Sequence, residues 1–318
     1  MSEAKGMGIT MRILLVGGAG DVGKHVARYL CQKGHKVIIL DKNEVTISPE
    51  TGNNLAAYKA DLTDVALVKD LVVKTDVIVN LAWSFSDDPR VLFSSDIGGH
   101  INLLEAASTE KNKRLIYTST AGVYGTPPPQ IIDEDYVCRP ERARKPLYAI
   151  AKHCAEQLSL TFGRDRGVPA TVFRFWWAFG DAIGGKHLRE LINLALSGQP
   201  LRMVNGAGGV FVSMDDLGAA IELAAQNEQA IGQIYNIGSL FLSWKEIGQM
   251  IIELTGSQSP LELVDSKHWS GPAFLNETWQ LSWDKAAREI GYRPQLSETA
   301  GRAAFQKALA ACIAALAK

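Results

Sequence analysis

Cysteine is scarce in this chain and nowhere paired. Cys31, Cys138, Cys154 and Cys312 are the four in 318 residues, and no CxxC spacing occurs. That excludes a disulfide scaffold and a thiolate zinc site, so no metal is expected, and it fits a reducing compartment, by default the cytoplasm. An excess of one charge is also lacking: 33 Lys and Arg meet 34 Asp and Glu, for a net charge of −1. No basic surface therefore points to nucleic acid or to an anionic membrane. No apolar run is long enough to cross a bilayer, and residues 1–10 lack the apolar core of a signal peptide. They read as a leader ahead of the first strand, with Met7 or Met11 as alternative starts. Internal repeats and low-complexity linkers are absent, and Pro127-Pro128-Pro129 marks a loop. What remains, 47% hydrophobic and 21% charged, is ordinary globular composition, with length for one large domain or for a large and a small one.

The first fifty residues are the most legible. Arg12-Ile13-Leu14-Leu15-Val16 is a run of strand formers that stops at Gly17-Gly18-Ala19-Gly20-Asp21-Val22-Gly23. Val22, Val26, Tyr29 and Leu30 then recur on one helical face, Gly34 closes the helix, and Lys36-Val37-Ile38-Ile39-Leu40 is a second buried strand. Strand, glycine turn, helix and strand make a βαβ unit. Gly17, Gly20 and Gly23 are spaced GxxGxxG. A side chain there would block the tight turn, the approach of a pyrophosphate, or the packing of helix on strand. The amides at the helix start, around Asp21 and Val22, would face the phosphates. Asp41 ends the second strand, where an acid accepts hydrogen bonds from an adenosine ribose and repels a 2′-phosphate, favouring NAD over NADP. Lys42 beside it weakens that preference. Outside this context the glycines would be an ordinary turn and Asp41 a solvated acid.

Further along, Asp76–Asn80, Arg114–Tyr117, Ala170–Arg174 and Ile234–Ile237 read as buried strands, with a helix over Ile97 to Ala107. The alternation predicts an α/β fold, a Rossmann-type doubly wound parallel sheet with helices on both faces. Residues 11–180, with 212–239 returning to it, are the expected dinucleotide-binding domain; 181–211 and 240–318 are the expected smaller substrate-binding lobe. Ligands in such sheets bind beyond the carboxyl ends of the strands, near which Asp61, Asn80, Thr120 and Arg174 fall. The alanine-rich stretch from Ala300 to Lys318 reads as a terminal amphipathic helix docked on its own domain.

Tyr148 and Lys152 are four residues apart, so on a helix the phenol and the ammonium share a face. A phenol titrating near about 10 is a poor base at neutral pH, and a neighbouring ammonium favours the phenolate. His153 points away from that face and reads as a surface or interface histidine. In order along the chain come Gly17-x-x-Gly20-x-x-Gly23, Asp41, Asp61-Leu62, Thr118-Ser119-Thr120-Ala121-Gly122-Val123-Tyr124-Gly125, Tyr148-x-x-x-Lys152, Val212-Ser213-Met214-Asp215-Asp216 and Tyr235-Asn236-Ile237-Gly238. Together these resemble the extended short-chain dehydrogenase/reductases, specifically the NAD-dependent epimerase/dehydratase group, from Met11 to near Leu309. The resemblance implies NAD as cofactor and Tyr148 as the base that takes a proton from a substrate hydroxyl. It implies that Lys152 also binds the nicotinamide ribose and that Thr120 steadies the hydroxyl. Asp61 and Leu62 would border the adenine, and the backbone of Asn80, Leu81 and Ala82 would pass along the cofactor. A homodimer through helices such as those carrying Asn102 and Tyr148 is implied as well.

The chain also departs from the family pattern. Sugar-nucleotide 4,6-dehydratases place an acid after the threonine; Ala121 and Gly122 stand here, which disfavours that elimination. Nucleotide-sugar epimerases commonly carry Asn where Trp177 follows Arg174-Phe175-Trp176, and a diphosphate-clamping Arg where Gly208 to Val212 has none. Aromatics stand instead: Trp83 and Phe85, flanking Ser84, together with Trp176 and Trp177, are placed to stack on a small-molecule substrate, or else are core. Trp244, Trp269, Trp279 and Trp283 read as packing. Three functions stay open: a sugar-type epimerase/oxidoreductase, an NAD-dependent dehydrogenase or ketoreductase of a small hydroxy compound, and a non-catalytic NAD-sensing module.

Overall fold

The computed structural model describes residues 9–45, 49–111 and 113–316. The first eight residues of the expected leader, and the last two of the terminal helix, lie outside the described residues. Four of the five residues of β1 (Arg12–Val16) are buried in succession, as in a strand covered on both faces. The glycine turn leads into α1 (Asp21–Gln32), then β2 (Lys36–Asp41), β3 (Leu55–Lys59), α2 (Val65–Val73) and β4 (Val77–Asn80). A π-helical turn at Val91–Ile97 runs into α3 (Gly98–Ser108), followed by β5 (Arg114–Thr118), α4 (Pro146–Arg166) and β6 (Ala170–Arg174). Pro146 opens α4 at a position where its missing N–H costs nothing, and Gly167, at φ 71°, closes it.

Beyond β6 come β7 (Trp177–Phe179), α5 (Lys186–Leu196), β8 (Leu201–Val204), β9 (Gly208–Ser213), α6 (Met214–Gln226) and β10 (Ile234–Asn236). The chain ends through β11 (Leu240–Ser243), α7 (Trp244–Thr255), β12 (Leu261–Val264), β13 (Thr278–Trp279), α8 (Asp284–Glu289) and α9 (Glu298–Leu316). Seven strands form one parallel sheet in the order β10-β6-β5-β4-β1-β2-β3, a Rossmann-type doubly wound arrangement as the alternation predicts. The order reverses between β1 and β4, and the crevice beyond their carboxyl ends is where such sheets bind ligands.

Alternation along the strands feeds two cores. Ile13, Leu15, Val37, Ile39, Val77 and Val79 face α1 and α6, whereas Leu14, Val16, Leu40 and Ile78 face α2, α3 and α4. So α6 and β10 belong with the large sheet. β9, in contrast, centres a second sheet with β11 antiparallel to it and β7 and β13 parallel, and β8 pairs with β12. Around these strands Leu188, Ile192, Phe211, Trp244, Phe305 and Leu309 build a separate core. α9 buries Gly301, Phe305, Ala308, Leu309 and Cys312 along one stripe against that core. β3 has no counterpart in the sequence reading; its residues are exposed or half-buried at the sheet edge, so they carry no apolar signature. Among the described residues no helix is long and apolar enough to cross a membrane, and no cluster of His, Cys, Asp and Glu is placed to hold a metal.

Candidate active site

The glycine turn is shaped by contacts within the chain. Gly17 has φ 87°, its amide donates to the Leu40 carbonyl at 2.9 Å, and a Cβ there would lie 2.6 Å from the Ala82 nitrogen. A Cβ at Gly23 would lie 2.2 Å from the Gly17 oxygen, so the first turn of α1 rests directly on the loop. Gly18 lies outside the GxxGxxG spacing yet is as tightly held, its Cβ position 2.5 Å from Ile39 Cγ2. Gly20 differs. It is the N-cap of α1, and a Cβ there would meet nothing nearer than the Gly17 oxygen at 3.7 Å. The open space lies where the first amides of α1, from Asp21 and Val22, lack intrahelical partners, and it fits a pyrophosphate.

Asp41 is buried at the end of β2, and its carboxylate accepts from the amides of Ala19 at 2.9 Å and Asn43 at 2.8 Å. It thereby ties the glycine turn to β2 and keeps acceptor capacity for two ribose hydroxyls. Lys42 is exposed. The exposed Asp61 accepts from the Thr63 amide, while Leu62 packs against Gly99 and its carbonyl accepts from Asn102 Nδ2 at 2.8 Å. Leu81 donates its amide to the Val16 carbonyl, and Ala82 donates to Asn80 Oδ1. Asn80 is held in turn by His100, whose other ring nitrogen meets Ser159 Oγ. Burial, and then the charge of Lys152, push His100 down to about 3, so the imidazole is neutral.

Tyr148 and Lys152 project from the first two turns of α4. Burial pushes the Tyr148 phenol up, the neighbouring Thr120 side chain pulls it down, and the Asp96 carboxylate raises it again. Thr120 Oγ1 also accepts from the Gly122 amide at 3.1 Å, which fixes the hydroxyl at the start of the turn after β5. Lys152 is buried, donates to the Thr118 carbonyl at 2.8 Å, and is pushed down to about 7 by burial against the pull of Asp96 and Glu156. Phe85 stacks on the Tyr148 ring with centroids 5.4 Å apart and planes 14° apart, leaving its other face exposed. It has φ 53°, rare for a residue with a side chain. Ser84 Oγ donates to Asp96 Oδ2 at 2.5 Å, and Lys145 pairs with Asp87, so the corner bearing Phe85 is clasped on both sides. Trp83 packs against Tyr117, with the Lys152 ammonium over its ring.

The structure thus brings together Gly17, Asp41, Ala82, Thr120, Tyr148, Lys152, Trp83, Ser84 and Phe85 around the carboxyl ends of β1, β2, β4 and β5. It sets Trp176 and Trp177 in the aromatic core of the smaller lobe, half-buried with Phe211, Trp244 and Phe274. Arg174 is bound bidentately by Glu156 at 2.9 and 2.7 Å through Nε and Nη2, while its buried Nη1 has no hydrogen-bond partner among the described residues. His153 is half-buried on the same glutamate, at 3.1 Å, instead of lying free on the surface. Asp96, His100, Glu156 and Gly18 escape the sequence reading because the partners that explain them, Ser84, Asn80, Arg174 and Ile39, lie on other segments of the chain. The acid of Asp96 just ahead of an apolar helical stripe was the one available signal.

A model of the family described as NAD dependent epimerase/dehydratase matches residues 13–238. The UDP-N-acetyl-alpha-D-glucosaminuronate decarboxylase of Bacillus cytotoxicus is 32% identical over 266 residues, spanning 79% of this chain and 82% of the relative. The UDP-glucose 4-epimerase of Lactobacillus helveticus is 24% identical over 315 residues, spanning 90% and 92%. In fold, the chain resembles a Thermotoga maritima UDP-glucose 4-epimerase with UDP-glucose, at a TM-score of 0.77 and 22% identity over 96% of this chain and 100% of that one. A UDP-glucuronic acid 4-epimerase from Bacillus cereus, in complex with UDP-glucuronic acid and NAD, gives 0.74 at 23% identity over 95% and 100%. With the family model matching most of the chain and a relative 32% identical over four fifths of it, the chain is an NAD-using enzyme and belongs to the NAD dependent epimerase/dehydratase family.

Proposed function

We propose that this enzyme is a sugar-type epimerase/oxidoreductase that moves hydride reversibly at a secondary hydroxyl, with Tyr148 as the base. The observation that carries the reading is that Tyr148 and Lys152 share one face of α4, the Lys152 ammonium buried and pinned to the Thr118 carbonyl at 2.8 Å at the end of β5. Gly17, Gly20 and Gly23 with the α1 amides would hold the pyrophosphate of NAD, Asp41 a ribose, and Lys152 the nicotinamide ribose. When bound, NAD supplies the hydride acceptor and, in an epimerase, the donor for the opposite face. Tyr148 holds its proton in the resting protein, because burial dominates, and must release it to solvent before it can act as the base. Thr120 orients a substrate hydroxyl towards the phenol, and the positive charge of Lys152 stabilises the phenolate that receives the proton. The exposed face of Phe85 offers an apolar platform beside the reacting carbon.

The substrates in the names of the relatives are UDP-linked sugars, which supports a nucleotide sugar here. Against it, β9 reads Gly-Gly-Val-Phe-Val-Ser without a cation, and Trp177 packs into the aromatic core. Those two features favour the second reading, a dehydrogenase of a small hydroxy compound. Denaturing freshly purified protein and quantifying the released nicotinamide separates them. Near-stoichiometric NAD+ supports the epimerase, and an empty protein that binds NADH reversibly supports the dehydrogenase. Tyr148→Phe should lower turnover by roughly 10²–10⁴ with the fold intact by circular dichroism; unchanged turnover overturns the base assignment. The proposal includes a homodimer through α3 and α4, and light scattering at the chain mass of 34.6 kDa overturns that part.

A further inference from the structure

Lys152 is buried without an ion-pair partner among the described residues. The charged and titratable groups around it are Asp96 ahead of α3, Glu156 one turn further along α4, His100 on α3, and the phenols of Tyr117 and Tyr148. Glu156 is already committed to Arg174 and His153, Asp96 to Ser84, and His100 is neutral. What touches the ammonium instead is one carbonyl and two rings. Nζ lies 4.2 Å from the Trp83 centroid and 4.9 Å from that of Tyr117, and the two rings meet edge-on at 60° to wall two sides of it.

We propose that Trp83 is a positioning residue for the proton-transfer pair, its indole face holding the Lys152 ammonium charged and in place beside Tyr148. A cation over an indole face is attracted by the ring quadrupole, most strongly where water is excluded. The buried indole Nε1–H has no hydrogen-bond partner among the described residues, so it is the ring face that meets Lys152. What tryptophan adds over phenylalanine is the stronger π face. Two of the three ammonium donors stay free of Thr118 and available to a ligand. Because burial, even against the pull of Asp96 and Glu156, brings Lys152 down to about 7, a contact of this kind bears on whether the ammonium persists at working pH.

The proposal rests on the reading of Tyr148 and Lys152 as the proton-transfer pair, and its test needs no turnover. Lys152 is titrated by ¹³Cε NMR in the cofactor-free protein, its signal assigned by absence in Lys152→Met. Trp83 is replaced by tryptophans bearing one, two and three ring fluorines, which weaken the π face in steps at nearly constant shape. The Lys152 midpoint should fall stepwise, and Trp83→Leu should lower it by roughly one pH unit. An unchanged midpoint across the fluorinated series overturns the proposal even if Trp83→Leu does not fold. Failure of the functional reading shows separately, as undiminished turnover in Tyr148→Phe, and leaves the titration where it is.

Discussion

Alanine at Gly20 and alanine at Gly23 should do different damage. At Gly23 the new Cβ collides with backbone that cannot move aside, so Gly23→Ala should lower thermal stability and cofactor affinity together. At Gly20 the protein itself leaves room, so Gly20→Ala should melt within about a degree of the wild type and lose NADH affinity at least tenfold in a fluorescence titration. Equal loss of stability in both would remove the reason for assigning the open space to a pyrophosphate. Asp41 makes a companion case, because its carboxylate, proposed above to meet a ribose, also anchors Ala19. Asp41→Asn should narrow the preference for NADH over NADPH, read as the ratio of dissociation constants. At this scale the sequence was most readable where spacing along a single turn or helix decides the geometry, as for Gly17, Gly23, Tyr148 and Lys152. It was silent on Gly18, whose reason for being glycine is the Ile39 side chain one strand away.

α4 carries Tyr148 and Lys152, and the Glu156–Arg174 pair pins it to β6. Burial pushes the Glu156 carboxyl up, but hydrogen bonds from Arg174 and His153 outweigh it and hold the group below the usual carboxylate range. A carboxyl depressed in the folded state stabilises above its unfolded value and loses that contribution as pH falls through the folded one. Urea unfolding should therefore show the wild type losing more stability than Glu156→Gln between roughly pH 5 and pH 3. Arg174→Met, which leaves the buried glutamate only its bond with His153, should cost about 3–5 kcal/mol at neutral pH. A near-neutral result would mean that α4 is held by packing alone. The helix itself was legible from its four-residue spacing. Its anchor was not, since Arg174 reads equally well as a residue at a ligand-binding strand end. The π-helical turn before α3 was hidden as well, because Val91 to Ile97 offers the same apolar residues to an α-helix.

For the molecule as a whole, the doubly wound sheet followed from apolar runs alternating with helical ones, and the order of its strands is the one such alternation favours. The second sheet around β9 did not follow, because β7, β11 and β13 are two to four residues long and find their partners far along the chain. A ligand bound only by the folded chain at 100 times its dissociation constant stabilises by about 2.7 kcal/mol. Saturating NAD should accordingly raise the melting temperature by roughly 5 °C in differential scanning fluorimetry, NADP by less, and neither in Gly20→Ala. An equal shift with NADP would contradict the role given to Asp41.

α1 buries Val26, Tyr29 and Leu30 in the core that α6 completes, yet α6 begins at Met214. During synthesis, at roughly 5–20 residues per second, the apolar flank of the first helix waits on the order of ten seconds or more for its cover to leave the ribosome. The apolar flank of α1 is thus made early and covered late, a stretch of exposed hydrophobic surface that a nascent chain carries until α6 emerges.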